Sequence, residues 1–209
     1  MGANDGIVAT AGIVEGFAAS AAGGRAALVL AAVASLTAGS LSLAGAMYAE
    51  YAAQRDALRS TIEGERRSLA GSPDVELAEL EALYMERGLS AETARQVAVQ
   101  LTAHDALGAH IEVQYGISPD EQSLNPLVVA VAAGLAFAAG AMVPVLAALL
   151  APAAWRLPVI FGAAILALCV TSTVLARFGR ASVVRTFLRA LIIGISTMLI
   201  GLGVGRLLS

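Results

Sequence analysis

The 209-residue chain has no lysine, a single cysteine and a single tryptophan, and only 14% of its residues are charged. The lone Cys169 excludes a disulfide framework or a cysteine metal cluster within one chain. In its apolar run it reads as a small buried hydrophobe. All thirteen basic residues are arginine, which, with abundant Ala and Gly, fits a GC-rich coding sequence. A basic start is also missing. Met1-Gly-Ala-Asn-Asp5 offers no n-region for a cleavable signal peptide, and Gly6 stands where myristoylation wants Ser or Thr. Soluble domains carry about a quarter charged residues. With 58% hydrophobic residues and a mean hydropathy of +0.77, this chain reads as an integral membrane protein.

What charge there is sits in one place. Residues 55–124 hold thirteen of the sixteen carboxylates against six arginines, a formal charge of −7 that leaves +4 elsewhere. An acidic aqueous insert therefore separates two apolar blocks, giving segments 1–54, 55–124 and 125–209. A helix needs about twenty apolar residues to cross a bilayer. Five stretches meet this: Asn4–Gly23, Ala26–Ala53, Asn125–Ala151, Leu157–Ala176 and Phe187–Leu208. The second is expected to continue into the insert as one long helix. With five spans, the insert and the Arg177–Arg189 connection share a face bearing ten arginines, against Arg25, Arg156 and Arg206 on the other. The positive-inside rule then places the insert and the N-terminus in the cytoplasm.

Within the insert, Leu77, Leu80, Leu83 and Tyr84 form a helical stripe, and Val97, Ala98, Leu101 and Leu107 form another. Gly71-Ser72-Pro73 turns the chain back, Asp74 reads as an N-cap, Gly88 ends one helix and Ser90 starts the next. Gly116 to Pro119 closes the insert. About three helices are expected. Glu76 and Glu79 share a helix face, and the turn brings Glu63 and Glu65 over against them. Carboxylates converging without basic partners repel unless a cation lies between, and oxygen donors suit hard or borderline divalent metals. His104, Asp105, His110 and Glu112 add donors on a later helix. A solvated acidic face explains the same residues about equally well.

Charges inside a span are costly and point to function. Asp5 and Glu15, ten residues apart, lie about 80° apart on the helix wheel and about 15 Å apart in height, so both can border one pathway. Asp5 can instead be an interfacial N-cap, whereas Glu15 falls mid-span. Gly12/Gly16 and Gly201/Gly205 are G-x-x-x-G steps that allow close helix approach. Met47 and Glu50 can be soft and hard ligands at a pore mouth, or a packing residue and a snorkelling acid.

These residues fall in an order that resembles the vacuolar iron transporter family. Asn4-Asp5-Gly6-Ile7-Val8, Ala38-Gly-Ser-Leu-Ser-Leu43, Tyr48 and Gln54-Arg55-Asp56 resemble its first two spans. Glu76-Leu-Ala-Glu79-Leu, Tyr84, Arg87-Gly88-Leu89-Ser90, Ala94-Arg-Gln-Val97 and Leu101-Thr-Ala-His-Asp105 resemble the insert of microbial members, and Phe137, Gly140-Ala141 and Pro144 the third span. The resemblance covers essentially the whole chain. It implies an all-α, five-span homodimer that exports ferrous iron, and often manganese, from the cytoplasm in exchange for protons. The membrane would be a bacterial cell membrane, or a vacuolar one in a eukaryote. Divalent metal, protons and lipid are the expected partners, with no prosthetic group, no enzymatic activity and no nucleic acid. Zn2+ would serve as a surrogate ligand. The family's pathway acid falls on Asp5, and its insert glutamates fall on Glu65, Glu76 and Glu79.

The chain also departs from the family pattern. Ser68 stands for a family glutamate, Leu43 for the pathway methionine with Met47 a turn on, and Ser35 for an acid that some members carry. The late methionines and glutamate of the insert fall near His110, Ile111 and Gln114, with Glu112 close by. Glu15 is expected to replace the charge missing at Ser35. The competing reading is a membrane-anchored metal-binding or storage module without transport; a di-iron enzyme is disfavoured, because no helix carries the Glu-x-x-His motif.

Overall fold

A computed structural model describes residues 2–20, 24–116, 124–178 and 182–207. All regular structure among them is helical: α1 (Gly2–Ala19), α2 (Arg25–Gly71), α3 (Pro73–Glu86), α4 (Ala91–Tyr115), α5 (Pro126–Leu150), a 3-10 turn at Ala153–Trp155, α6 (Arg156–Phe178) and α7 (Val183–Leu207). The chain divides into two compact units, one of residues 1–49 and 126–209, the other of residues 50–125. Helix α2 runs unbroken for 47 residues from the first unit into the second, as expected from its uninterrupted sequence.

Among the described residues four helices are long and apolar enough to cross a membrane: α2, α5, the stretch from Ala153 through α6, and α7. Their outward residues, among them Leu127, Val131 and Leu135 of α5 and Ile192, Ile193 and Ile200 of α7, are more than half exposed. So much apolar surface on hydrogen-bonded helices suits lipid rather than water. Helix α1 is not among the four, since Asn4, Asp5 and Glu15 interrupt its 18 residues. Its position explains why it can be less apolar. Ile7, Ala11 and Val14 are buried against Leu28 and Ala32 of α2, Val145 and Ala148 of α5, Ile160, Ala164 and Leu168 of α6, and Met198 of α7. Protein rather than lipid covers most of α1.

Small residues make that cover possible. A Cβ on Gly201 would strike the backbone carbonyl of Gly12, and one on Gly205 that of Gly16. The two G-x-x-x-G steps therefore close on each other within one chain, backbone against backbone. Gly12 and Gly16 thus pack against α7 of the same chain.

The second unit is built from the rest of α2, from α3 and from α4. Leu80, Ala98 and Ala109 are buried together, with Leu77, Tyr84, Leu101 and Val113 packed around them. Burying a residue such as Leu80 contributes roughly 1.5–3 kcal/mol. Helix α2 stops at Gly71 and Pro73 opens α3. The N-cap is Ser72 rather than Asp74, because proline, which lacks the N–H, takes the first helical position and moves the start forward. Gly88, at φ 97, follows the end of α3, and Ser90 Oγ accepts from the Thr93 N–H to start α4. Arg87 donates to the Val113 carbonyl at 2.7 Å and ties the end of α3 to that of α4. Helix α4 is broken at Asp105, whose extended backbone lets its Oδ1 accept the Gly108 N–H at 3.0 Å. Gly116, at φ 68, ends α4, and residues 117–119 of the expected closing turn lie outside the described residues.

Candidate functional site

In the second unit the end of α2, the start of α3 and the last part of α4 each supply one side chain to a single point. Glu65, Glu76 and His110 present ligand atoms that all lie within 4.8 Å of one another. Their burial is unusual for such groups: His110 is fully buried, Glu65 is 7% exposed and Glu76 12%. The helical periods explain the selection. Glu63 lies about 200° around α2 from Glu65, so only one of the pair can face inward, and Glu63 is exposed. Glu112 stands in the same relation to His110 and is also exposed. The break at Asp105 restarts α4 and sets the register that turns His110 inward. Asp105 itself serves as a cap within α4, and His104 is exposed, so neither joins the cluster.

His110 Nδ1 is 3.1 Å from Glu65 Oε1 and 3.7 Å from Glu76 Oε2. The shorter approach is badly aligned: Nδ1, Nε2 and Glu65 Oε1 all lack a hydrogen-bond partner among the described residues. Buried polar atoms are normally paired, and an orphaned set calls for a missing partner. Burial pushes the Glu65 carboxyl above the ordinary carboxylate range; the neighbouring Glu76 and Glu79 push the same way, and His110 opposes them. Glu79 lies beside the cluster, exposed, its Oε1 accepting from Gln114 Nε2 at 3.0 Å. One imidazole and two carboxylates with unmet lone pairs form a donor set for a borderline divalent metal. Metal–ligand bonds of about 2.0–2.2 Å place donors up to about 4.4 Å apart, close to the spacing found here. The sequence pointed to these residues only as part of a wider acidic group. His110, at a position where the family pattern changes, turns out to be the most buried member.

The four pathway candidates separate: Asp5, Glu15 and Met47 belong to the first unit and Glu50 to the second. Asp5 is exposed and lines a cavity of about 830 Å³ with Asn4, Leu168, Thr186, Arg189 and Thr197. Sequence reasoning counted Arg189 only towards membrane orientation; its place in the wall of the Asp5 cavity required α7 to be folded against α1. Glu15 is 1% exposed, with neither carboxylate oxygen hydrogen-bonded by a described residue. It lines a different cavity from Asp5. Because α1 ends at Ala19, Glu15 stands near the end of the helix rather than midway. Met47 is half-buried; Glu50 is exposed and accepts from Gln54 at 3.4 Å. Ser35 Oγ donates to Thr10 Oγ1 at 3.1 Å between α2 and α1, with both residues buried. Thr10 is about 140° around α1 from Glu15, so the Glu15 carboxyl does not take the place of a charge at Ser35.

The sequence profile of the VIT family matches residues 1–206. The chain is 35% identical over 208 residues to a vacuolar iron transporter of Acanthamoeba castellanii, an alignment covering 99% of this chain and 76% of that protein.

Proposed function

The chain belongs to the VIT family, and from that premise we propose that it exports Fe2+, and also Mn2+, from the cytoplasm in exchange for protons. The observation that carries the reading is the Glu65–Glu76–His110 cluster, a buried donor set with unmet hydrogen-bonding capacity. In this reading the second unit is a cytoplasmic metal-receiving domain, and the first conducts the ion. Glu65, Glu76 and His110 hold the metal, with Glu79 adding negative charge beside them. Asp5, at its cavity, passes the ion on, and Met47 and Glu50 act as further ligands of the pathway.

Five spans are proposed, α1 being the fifth. Its 18 residues rise about 27 Å, near the ~30 Å of a bilayer's hydrocarbon core. The insert and the N-terminus are proposed to be cytoplasmic, a reading that the arginine distribution supports. A homodimer is proposed along the uncovered stripe of α1. There Ile13 and Phe17 are over 40% exposed and are flanked by apolar grooves against α7 and α2.

The test is flux in proteoliposomes holding the full chain, a metal-sensitive dye and a pH-sensitive dye. Saturable Fe2+ or Mn2+ movement matched by opposite proton movement is expected, and Asp5→Asn should bring both close to the level of protein-free liposomes. Metal binding without any flux would overturn transport in favour of a membrane-anchored storage module.

A further inference from the structure

Glu15 has surroundings that no role assigned so far accounts for. Its side chain is buried, its two oxygens accept no hydrogen bond from a described residue, and it lines a cavity of about 440 Å³. The wall is otherwise apolar apart from one cation: Leu157, Phe161, Gly162 and Ile165 come from α6, and Leu202 and Arg206 from α7. The Asp5 cavity lies along the same seam of α1, α6 and α7 but at its other end, formed by the last part of α6 and the first part of α7. Buried Ala11 and Met198 occupy the seam between the two. The Glu15 cavity is therefore at the end of the bundle remote from Ala49 and Pro126, where the chain leaves and re-enters the first unit.

The geometry points to Glu15 as a proton-exchange site that is separate from the metal-binding carboxylates and served by its own cavity at the remote end of the bundle. This assignment deepens the transport reading and rests on it for the use made of the proton. An ionised carboxylate without donors in an apolar setting is strongly disfavoured, while a proton neutralises it without requiring further ligands. A metal ion would need several donors, and this cavity offers one carboxylate and an arginine. Among the described residues the charged groups around this end are Arg25 at the start of α2, Arg156 at the start of α6 and Arg206 in the last turn of α7; α5 carries none, and Asp5 is the other acid of α1. The exchange is a simple one: the carboxylate takes one proton from the cavity and later returns it.

The test uses the full chain in liposomes. Dicyclohexylcarbodiimide attacks protonated carboxyls in apolar surroundings, so peptide mass spectrometry should find adduct at Glu15, with a yield that falls as pH is raised. Glu15→Gln should carry no adduct at this position, and should reduce metal-driven proton movement to the level of protein-free liposomes. Gly162→Leu tests the cavity without touching the carboxyl, because a Cβ at Gly162 meets nothing within 4 Å; filling the space should slow both labelling and proton movement. No adduct at Glu15 at any pH, or proton coupling in Glu15→Gln equal to that of the parent, overturns the assignment. A parent chain that moves no metal overturns the transport reading instead, and the labelling result still decides Glu15.

Discussion

Glu65 Oε1 and His110 Nδ1 face each other at 3.1 Å in the interior of the second unit, and no hydrogen bond joins them. Nothing in the local chain forces this approach, since the residues are 45 positions apart and come from different helices. Two buried acceptors held so close repel unless a proton or a metal ion lies between them. A cation bound between them would relieve that repulsion.

Removing a donor should weaken metal binding in proportion to its burial. His110→Ala and Glu65→Ala are expected to lower affinity for Mn2+ or Zn2+ by more than the ~10–100-fold that loss of an outer-shell partner costs. Glu63→Ala and Glu112→Ala, whose side chains are exposed, should change it little. Calorimetric titration of the full chain in detergent separates the two groups. Equal losses across all four variants would mean a diffuse acidic surface and no defined site.

The pH dependence follows from the raised Glu65 carboxyl. A carboxyl whose folded value lies above its unfolded value supports the fold while protonated, and that support is lost as pH rises through the folded value. The metal-free second unit should therefore be more stable in mild acid than at neutral pH. Metal reverses the trend, because its ligands must be deprotonated to bind. Thermal melts with and without Mn2+ should diverge at neutral pH and converge in acid. In Glu65→Gln the metal-free trend should flatten.

The seam of α1 and α7 should tolerate no added methyl group. Gly201→Ala would drive a Cβ into the Gly12 carbonyl, and Gly205→Ala one into that of Gly16. Overpacking of this kind costs typically 1–3 kcal/mol, visible as a lower melting temperature in detergent. Gly203→Ala, on the same helix with nothing within 4 Å, is the control and should melt like the parent.

The dimer proposed along the uncovered stripe of α1 predicts where chains meet. A cysteine at Ile13, 42% exposed, should crosslink between chains in native membranes, and one at Val174, 49% exposed, should not. The Cys169 of the parent is replaced first, so that the new thiol is the only one. Crosslinking at Val174 alone would put the interface on α6.

Features set by local backbone chemistry were legible in the residues. Proline after Gly71-Ser72, glycine at Gly88 and a serine before Ala91 each fix a helix boundary through their own φ preferences or side-chain bonds. The cluster was only half legible. Glu65, Glu76 and His110 could be named, but Glu63, Glu79 and Glu112 could not be separated from them, since that depends on the rotation of each helix against its neighbours. Asp105 looked like another donor because a cap inside an apparently continuous helix leaves no mark on the periodicity. The glycine steps were seen as steps, yet spacing alone does not say that Gly12 meets Gly201.

The mating of α1 with α7 also sets an order for biogenesis. Ribosomes add about 5–20 residues per second, so some ten seconds or more separate the emergence of α1 from that of α7. Until then the flank of α1 that carries Gly12 and Gly16 has no α7 against it. A nascent chain lacking α7 would hold a row of bare glycine backbone open to lipid or to the insertion machinery. Maturation of this protein is thus a closing of α7 on α1, and a truncation within α7 should be felt first in α1.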